Sequence, residues 1–500
     1  MSVSSGVTKT EFSEAVRRYN EIRQCADKRK LCHAPSTSMY FNRDGYVGAC
    51  CFNRSQPYGQ YPQQTIEDIW FGQPRRGLDE QMLSEALPHG CELCVSPLAA
   101  DNFSNVNAVQ FDRLDDPRVV PAAATRADGA AYPLQMEFEL SNNCNLECVM
   151  CSGMFSSSIR KNREGLPPFP MCYDSGFVRQ LRPFIPHLHS AKFYGGEPFM
   201  VQPYYEIWEL MAELNPGIRL VVTTNATILN DRVKRLLEAM DFDLVLSIDS
   251  IVKETYEAIR INADYDSVMG HIDYFIDYAK RRGRTLTFAV CPMTLNALEM
   301  PALVEFCNER GIMIGFNTVE FPHELSMRNL PAESLAEIID VYERFRPDGA
   351  TTLHRHNFER FQGVLNMVRY WHGLRVKTED SPFAKRLEQH LEDLDNASLE
   401  GKVARYMYLY LLGSGNEEAA RAVLFEHFQV RSDDQAAILA YVEACIAVYG
   451  RINDWPPSRM QELQVKAKAS LERYMETGGI SLEYVLSSSP HSIVEYLVDA

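Results

Sequence analysis

Between residues 134 and 318, short apolar runs alternate with amphipathic stretches. Leu134-Gln135-Met136-Glu137-Phe138-Glu139-Leu140 alternates apolar and polar side chains, the period of a strand. Further strand patterns cover 189–194, 218–224, 243–248, 285–291 and 311–318. Helical patterns fall between them. Pro203–Leu214 has proline in its first turn, and Asp231–Met240 follows the third strand. Ser267–Lys280 puts Val268, Ile272, Phe275, Ile276 and Ala279 on one face. Such alternation builds a parallel sheet with helices outside, an α/β fold.

The flanks read differently. Residues 11–30 predict a polar helix. Asp44-Gly45 predicts a hairpin turn that brings Cys32 and Cys50 together. Thr65 is a candidate N-cap for a helix through Trp70, and another helix is expected over 78–87. Residues 115–133, rich in Ala, Pro and Asp, predict a linker. From about residue 330 only helical windows remain: 334–345, 358–372, 384–394, 402–412, 417–428, 434–449, 460–475 and a piece near Ile493. Phe358, Phe361, Leu365, Val368 and Trp371 form one apolar stripe there, the mark of core packing. The expected organisation is a Cys-rich module (1–114), a linker (115–133), an α/β region (134–325) and an all-α domain (326–500).

Composition narrows the chemistry. The 500 residues carry a net charge of −17, which argues against nucleic acid or an anionic membrane as the main partner. No basic-then-apolar signal opens the chain and no apolar run reaches membrane-spanning length, so a cytoplasmic protein is expected. Thirteen cysteines in a reducing compartment read as metal ligands or thiols.

Two cysteine sets stand out. Cys144, Cys148 and Cys151 occupy one polar loop directly after the first strand pattern. Three thiolates are one short of the four that iron–sulfur clusters usually receive, so one iron would stay open for another ligand. Cys32, Cys50, Cys91 and Cys94 form the second set, with Cys51 a rival for the Cys50 position. By itself that set could equally be a zinc ribbon.

The cysteine loop resembles the signature of the radical S-adenosylmethionine (radical SAM) enzymes, with Met150 where many members carry an aromatic residue. The resemblance implies a partial (β/α)6 barrel and a [4Fe–4S] cluster on Cys144, Cys148 and Cys151. It implies S-adenosyl-L-methionine bound to the open iron and cleaved to a 5′-deoxyadenosyl radical that takes hydrogen from a substrate. Tyr194-Gly195-Gly196-Glu197-Pro198 is similar to the family's GGEP motif, which holds the cofactor's amino group. Thr223-Thr224-Asn225-Ala226-Thr227 is similar to TTNGT, and Ser247-Ile248-Asp249-Ser250 to SIDG. By that likeness Thr224, Asn225, Ser247 and Asp249 are cofactor-binding residues, with Thr224, Ser247 and Asp249 suited to ribose hydroxyls, and Arg260 pairs with the cofactor's carboxylate.

The N-terminal set resembles the "twitch" or SPASM-type auxiliary module, here placed ahead of the barrel. It implies one auxiliary [4Fe–4S] cluster on Cys32, Cys50, Cys91 and Cys94. Cys291 and Cys172 read as packed thiols, and Glu320 and His323 as rim residues. The implied partners are a reductant such as flavodoxin or ferredoxin and a substrate. The extra helical domain favours a peptide or protein, and a sugar or natural-product precursor is the alternative. A zinc-stabilised, non-catalytic binding protein is the alternative of another class.

Overall fold

The structure is a computed structural model; it describes residues 9–83, 88, 90–121, 123–319, 322–379 and scattered positions between 443 and 465. The chain forms two compact units. The first comprises residues 10–327 and 340–367, and the second includes 328–339 and 368–379 among the described residues.

The first unit is built on one nine-stranded sheet. Its strands are β1 (Ser38–Asn42), β2 (Tyr46–Gly48), β3 (Gly59–Gln60), β4 (Gln135–Glu139), β5 (Ser190–Phe193), β6 (Arg219–Thr224), β7 (Phe242–Ser247), β8 (Leu286–Val290) and β9 (Met313–Phe316). The spatial order is β3-β2-β1-β4-β5-β6-β7-β8-β9. From β4 to β9 every neighbouring pair is parallel, six strands at nearly the positions that the apolar pattern predicts. Helices Gln202–Leu214, Asp231–Ala239 and Tyr265–Arg282 return the chain between strands. Val268, Ile272, Phe275, Ile276 and Ala279 are buried on the last of these, the predicted face.

The N-terminal module shares this sheet. Its hairpin, turned at Asp44-Gly45, pairs β1 in parallel with β4. The join is sealed on the helical side by aromatic rings. Phe41, Phe138 and Phe193 are register neighbours on β1, β4 and β5, with centroids 5.4 and 5.0 Å apart and nearly parallel planes. Phe177 meets Phe41 edge-on at 5.2 Å. Offset and edge contacts of this kind add to burial of the ring area. The alternation of β4 therefore points Met136 and Phe138 outward to the helices, while Gln135, Glu137 and Glu139 share the opposite face.

Three expectations need correction. The first helix is Lys9–Ile22, not 11–30. It stops where the Arg23 guanidinium turns inward and pairs with buried Asp112 at 2.6 Å. The helix expected over 78–87 is Gln73–Gln81, started by Pro74 after Gly72. The stretch 115–133 is no free linker. Val120 is buried, Thr125 bridges Ala131, and Trp70 Nε1 donates to the Ala131 carbonyl at 2.8 Å. Thr65 does cap its helix, accepting from Asp68 N at 3.1 Å.

After β9 come helices Ala332–Arg344 and Thr352–Glu379. Phe361, Leu365, Val368 and Trp371 of the predicted stripe are buried, and Phe358 is half-buried. In the second unit, Arg375 donates to the carbonyls of Asn329 and Leu330. The helical windows at 384–394, 402–412, 417–428 and near Ile493, nearly all of 434–449 and 460–475, and Glu320 lie outside the described residues.

Candidate active site

The loop carrying Cys144, Cys148 and Cys151 leaves the C-terminal end of β4, the end where parallel α/β barrels place their chemistry. It is fastened along its length. Glu147 N and Val149 N donate to the Ile261 and Ile259 carbonyls at 3.0 and 2.9 Å. Ser156 and Ser158 hydroxyls donate to the Leu146 and Cys144 carbonyls. The Glu147 carboxylate accepts from Asn162, Arg163 and Asn262, and the Asn162 bond leads in holding its pKa below the ordinary value.

All three thiols are half-buried residues whose sulfurs lie in dry surroundings. Burial pushes Cys144 up to about 11 and Cys151 up to about 12, with neighbouring sulfurs adding to the rise. Burial also raises Cys148, against the pull of Arg260. Thiols raised this way ionise when a metal takes the charge. A tetrahedral zinc would hold its sulfurs about 3.8 Å apart. Among the described residues, the one group of three or more ligand atoms all within 4.8 Å of one another is Cys25, His33 and Asp112. Neither cysteine set is drawn in to zinc spacing.

The Gly195-Gly196 turn follows β5 and lies against this loop. Both glycines have positive φ, +86° and +57°. A Cβ on Gly196 would run into the Asn143 carbonyl, and one on Gly195 would meet Glu139 Cγ at 2.6 Å. The space the glycines leave is taken by the cysteine loop itself, whose Asn143 carbonyl accepts from Glu197 N at 2.7 Å. Glu197 is fully buried. Its carboxylate accepts from the Thr224 hydroxyl (2.8 Å), Asn225 N (2.8 Å) and Phe199 N (3.1 Å). Burial pushes it up to about 7 against those three bonds. Glu197 and Thr224 thus tie the end of β5 to the end of β6.

Asn225 Nδ2 reaches toward Cys144 Sγ at 3.8 Å and donates to Asn145 Oδ1 at 3.0 Å. The next residue, Ala226, sits at φ +61°, a left-handed conformation unusual for a residue with a Cβ. Ser247 is half-buried at the end of β7. Asp249 is fully buried. Its Oδ1 accepts from Cys291 N at 2.8 Å and its Oδ2 lies 2.7 Å from Arg260 Nη2. Arg260 Nη1 approaches Cys148 Sγ at 3.8 Å, and its Nε is buried without a hydrogen bond. Burial opposes the Arg260 charge, but Asp249 and the Cys148 sulfur outweigh it and keep the guanidinium ionised. Met150 and Cys291 pack against Ile259, Met293 and Val319 beside the loop. The Cys172 thiol donates to the Arg43 carbonyl at 3.3 Å.

In the N-terminal module Cys32, Cys50, Cys91 and Cys94 line one apolar cavity, walled by Tyr19, Leu31, Met82, Leu98 and Val106. N–H groups aim at the sulfurs: Ala34 N at Cys32 and Asn53 Nδ2 at Cys91, both 3.4 Å. Ala108 N and Asn107 N bond Cys94, which burial lifts to about 12. Hydrogen bonds to cysteine sulfur in a dry pocket suit an iron–sulfur cluster. Cys51 turns the other way, beside Glu137, Glu139 and Tyr194. The structure therefore groups Cys50, not Cys51, with the other three.

The Radical SAM superfamily profile matches residues 138–307, and the SPASM iron–sulfur cluster-binding domain profile matches residues 32–95. The chain carries a radical SAM domain, with a SPASM-type domain N-terminal to it. These domains imply S-adenosyl-L-methionine, a [4Fe–4S] cluster and auxiliary iron–sulfur chemistry. Among curated proteins, a GTP 3′,8-cyclase of Rhodococcus opacus is 27% identical over 226 residues, covering 42% of this chain and 58% of that protein. A GTP 3′,8-cyclase 2 of Mycobacterium bovis is 26% identical over 245 residues, covering 47% and 65%. The chain thus spans about three fifths of the length of these curated relatives. Streptococcus suis SuiB bound to S-adenosylmethionine aligns with a TM-score of 0.32 at 18% identity, covering 42% of this chain and 46% of that one, a likeness too slight to carry an argument.

One part of this chain escaped motif reading. The face of β4 opposite the helices carries Gln135, Glu137 and Glu139, each at most 4% exposed. Tyr194 Oη donates to Glu137 at 2.6 Å, and Lys192 pairs with the same carboxylate at 3.3 Å. Tyr40 Oη and Arg54 Nη2 donate to Glu139 Oε2 at 2.7 and 3.1 Å. Buried carboxylates persist only when paired in this way. The available signal was the polar phase of the β4 alternation, on a strand buried on both faces. Among the described residues no helix is long and apolar enough to cross a membrane.

Proposed function

We propose that this chain generates a radical from S-adenosyl-L-methionine and uses it to oxidise or cross-link a peptide or protein. The observation that carries the reading is the set of three thiols at the C-terminal end of β4, beside a buried polar face and one strand from a four-cysteine cavity. When bound, the cluster on Cys144, Cys148 and Cys151 would supply one electron to cleave the cofactor and so start hydrogen abstraction.

The chain's own residues supply the rest. Glu197, Thr224 and the two glycines hold the loop against the ends of β5 and β6. Arg260 and Asn225 aim N–H groups at two of the three sulfurs. The backbone of the GGEP turn and the half-buried Ser247 remain for the cofactor, whereas Asp249 and Arg260 are engaged with each other. A net oxidation must remove a proton as well as a hydrogen atom and an electron. Glu139, whose hydrogen bonds fall on Oε2, would accept that proton on Oε1. Cys32, Cys50, Cys91 and Cys94 make the usual complement of four, so one auxiliary [4Fe–4S] cluster would accept the electron instead of binding substrate. A small reductant such as flavodoxin or ferredoxin in the cytoplasm would be the source of low-potential electrons.

Exposed Phe155, Met200, Val252, Leu295 and Leu298 all lie on segments that follow the C-terminal ends of barrel strands. An apolar rim suits a peptide. The relatives named GTP 3′,8-cyclase favour a second reading, a nucleotide substrate. Against it, Lys192 and Arg54, the cations paired on the buried polar face among the described residues, are already balanced by Glu137 and Glu139. Reduced, reconstituted protein should form 5′-deoxyadenosine faster with a peptide pool than with GTP. Stimulation by GTP alone would overturn the peptide assignment and leave the radical chemistry standing.

A further inference from the structure

We propose that Cys25, His33, Asp112 and Asp115 form a site for a zinc-type divalent cation behind the auxiliary cavity. No domain match reaches Cys25, Asp112 or Asp115, and the functional reading above makes no use of them.

Three chain segments converge here. Cys25 follows the Lys9–Ile22 helix, His33 follows Cys32, and Asp112 ends the short Val109–Asp112 helix. One ligand atom each from Cys25, His33 and Asp112 lies within 4.8 Å of the others. His33 Nε2 is 3.5 Å from Asp115 Oδ2 and 4.0 Å from an Asp112 oxygen. Zinc bonds of the usual length would set the edges of a tetrahedron at about 3.3–3.6 Å. Cys25, His33 and Asp112 need only small inward movements to reach that, and Asp115 approaches the set from the His33 side.

The donor set also has an unmet need. The His33 side chain is 1% exposed and its Nε2 has no hydrogen-bond partner. Around it the carboxylates are oriented as ligating carboxylates usually are. Asp112 accepts from Arg23 Nη2 at 2.6 Å, Arg23 Nε at 2.8 Å and Tyr19 Oη at 3.0 Å. Asp115 Oδ2 accepts from Ala26 N and Asp27 N at 2.9 Å. Charge closes as well. A Cys25 thiolate and two carboxylates balance Arg23 and one divalent cation. Mixed sulfur, imidazole and carboxylate ligands in a tetrahedron suit zinc. Tyr19 lines the auxiliary cavity and Cys32 adjoins His33, so a cation here would staple the wall that carries one cluster ligand.

The test is metal analysis of the anaerobically purified full chain after dialysis against a chelator. Wild type should retain zinc, and Cys25→Ser should lower the retained zinc at least roughly tenfold with iron unchanged. The Cys91→Ser/Cys94→Ser double variant separates this site from stray zinc on the auxiliary cysteines. It should lose iron and keep zinc. Cobalt added to wild type should give a thiolate charge-transfer band that Cys25→Ser lacks. No zinc in wild type, zinc unchanged in Cys25→Ser, or zinc lost with Cys91 and Cys94 would each overturn the proposal.

Discussion

Arg260 Nη1 lies 3.8 Å from Cys148 Sγ, while its Nη2 is held 2.7 Å from Asp249. The guanidinium is thus a cation aimed at one of the loop's three sulfurs, steered by a carboxylate behind it. Positive charge beside a cluster favours its reduced form. Arg260→Gln should lower the midpoint potential of the Cys144/Cys148/Cys151 cluster. Asp249→Asn, by freeing the cation, should raise it and cost about 3–5 kcal/mol of stability through an unpaired buried charge. Potentiometry followed by electron paramagnetic resonance, with denaturant melts, checks both.

The glycine turn makes a second claim. Gly196 holds φ +57° and its missing Cβ is where the Asn143 carbonyl sits. Gly196→Ala should displace the cysteine loop and cost about 1–3 kcal/mol. Iron should fall in the radical SAM cluster while the auxiliary cluster keeps its own. Mössbauer spectra with both clusters intact would refute this.

The two adjacent cysteines of the N-terminal hairpin should behave differently. Cys50 lines the four-cysteine cavity, whereas Cys51 sits beside Glu137 and Tyr194. Cys50→Ser should lose the auxiliary iron and Cys51→Ser should retain it. Iron counts per chain decide.

Glu197 gives the pH prediction. Burial lifts its pKa to about 7 in the folded protein, from an ordinary value of 4.5. A raised carboxyl stabilises the fold most below the unfolded value, and that contribution is lost as pH rises through about 7. The stability difference between wild type and Glu197→Gln should therefore shift by about 2–3 kcal/mol against wild type from pH 5 to pH 8. A pH-independent difference would contradict the burial argument.

What could be read in advance follows from the range of the interactions. The strand periods, the Thr65 cap and the hairpin at Asp44-Gly45 are local and stand in the structure where the pattern puts them. The pairing of β1 with β4 joins residues about a hundred positions apart and leaves only alternating aromatics as a trace, Phe41 and Phe138 among them. The partners of Arg260 and Asp249 were hidden for the same reason. Motif likeness assigned each to a cofactor, and only the folded chain brings them to each other. Glu137 and Glu139 carry no local sign of their burial, because nothing local says that β1 and β5 bring Tyr40, Lys192 and Tyr194 over them.

The central claim is that the Cys144 loop starts the chemistry. The most direct measurement is 5′-deoxyadenosine formed from S-adenosyl-L-methionine by reduced, reconstituted protein, compared with a variant carrying Cys144→Ala, Cys148→Ala and Cys151→Ala. Wild type should form it, and the triple variant should form none while keeping its auxiliary iron. Equal formation by the two proteins would contradict the account.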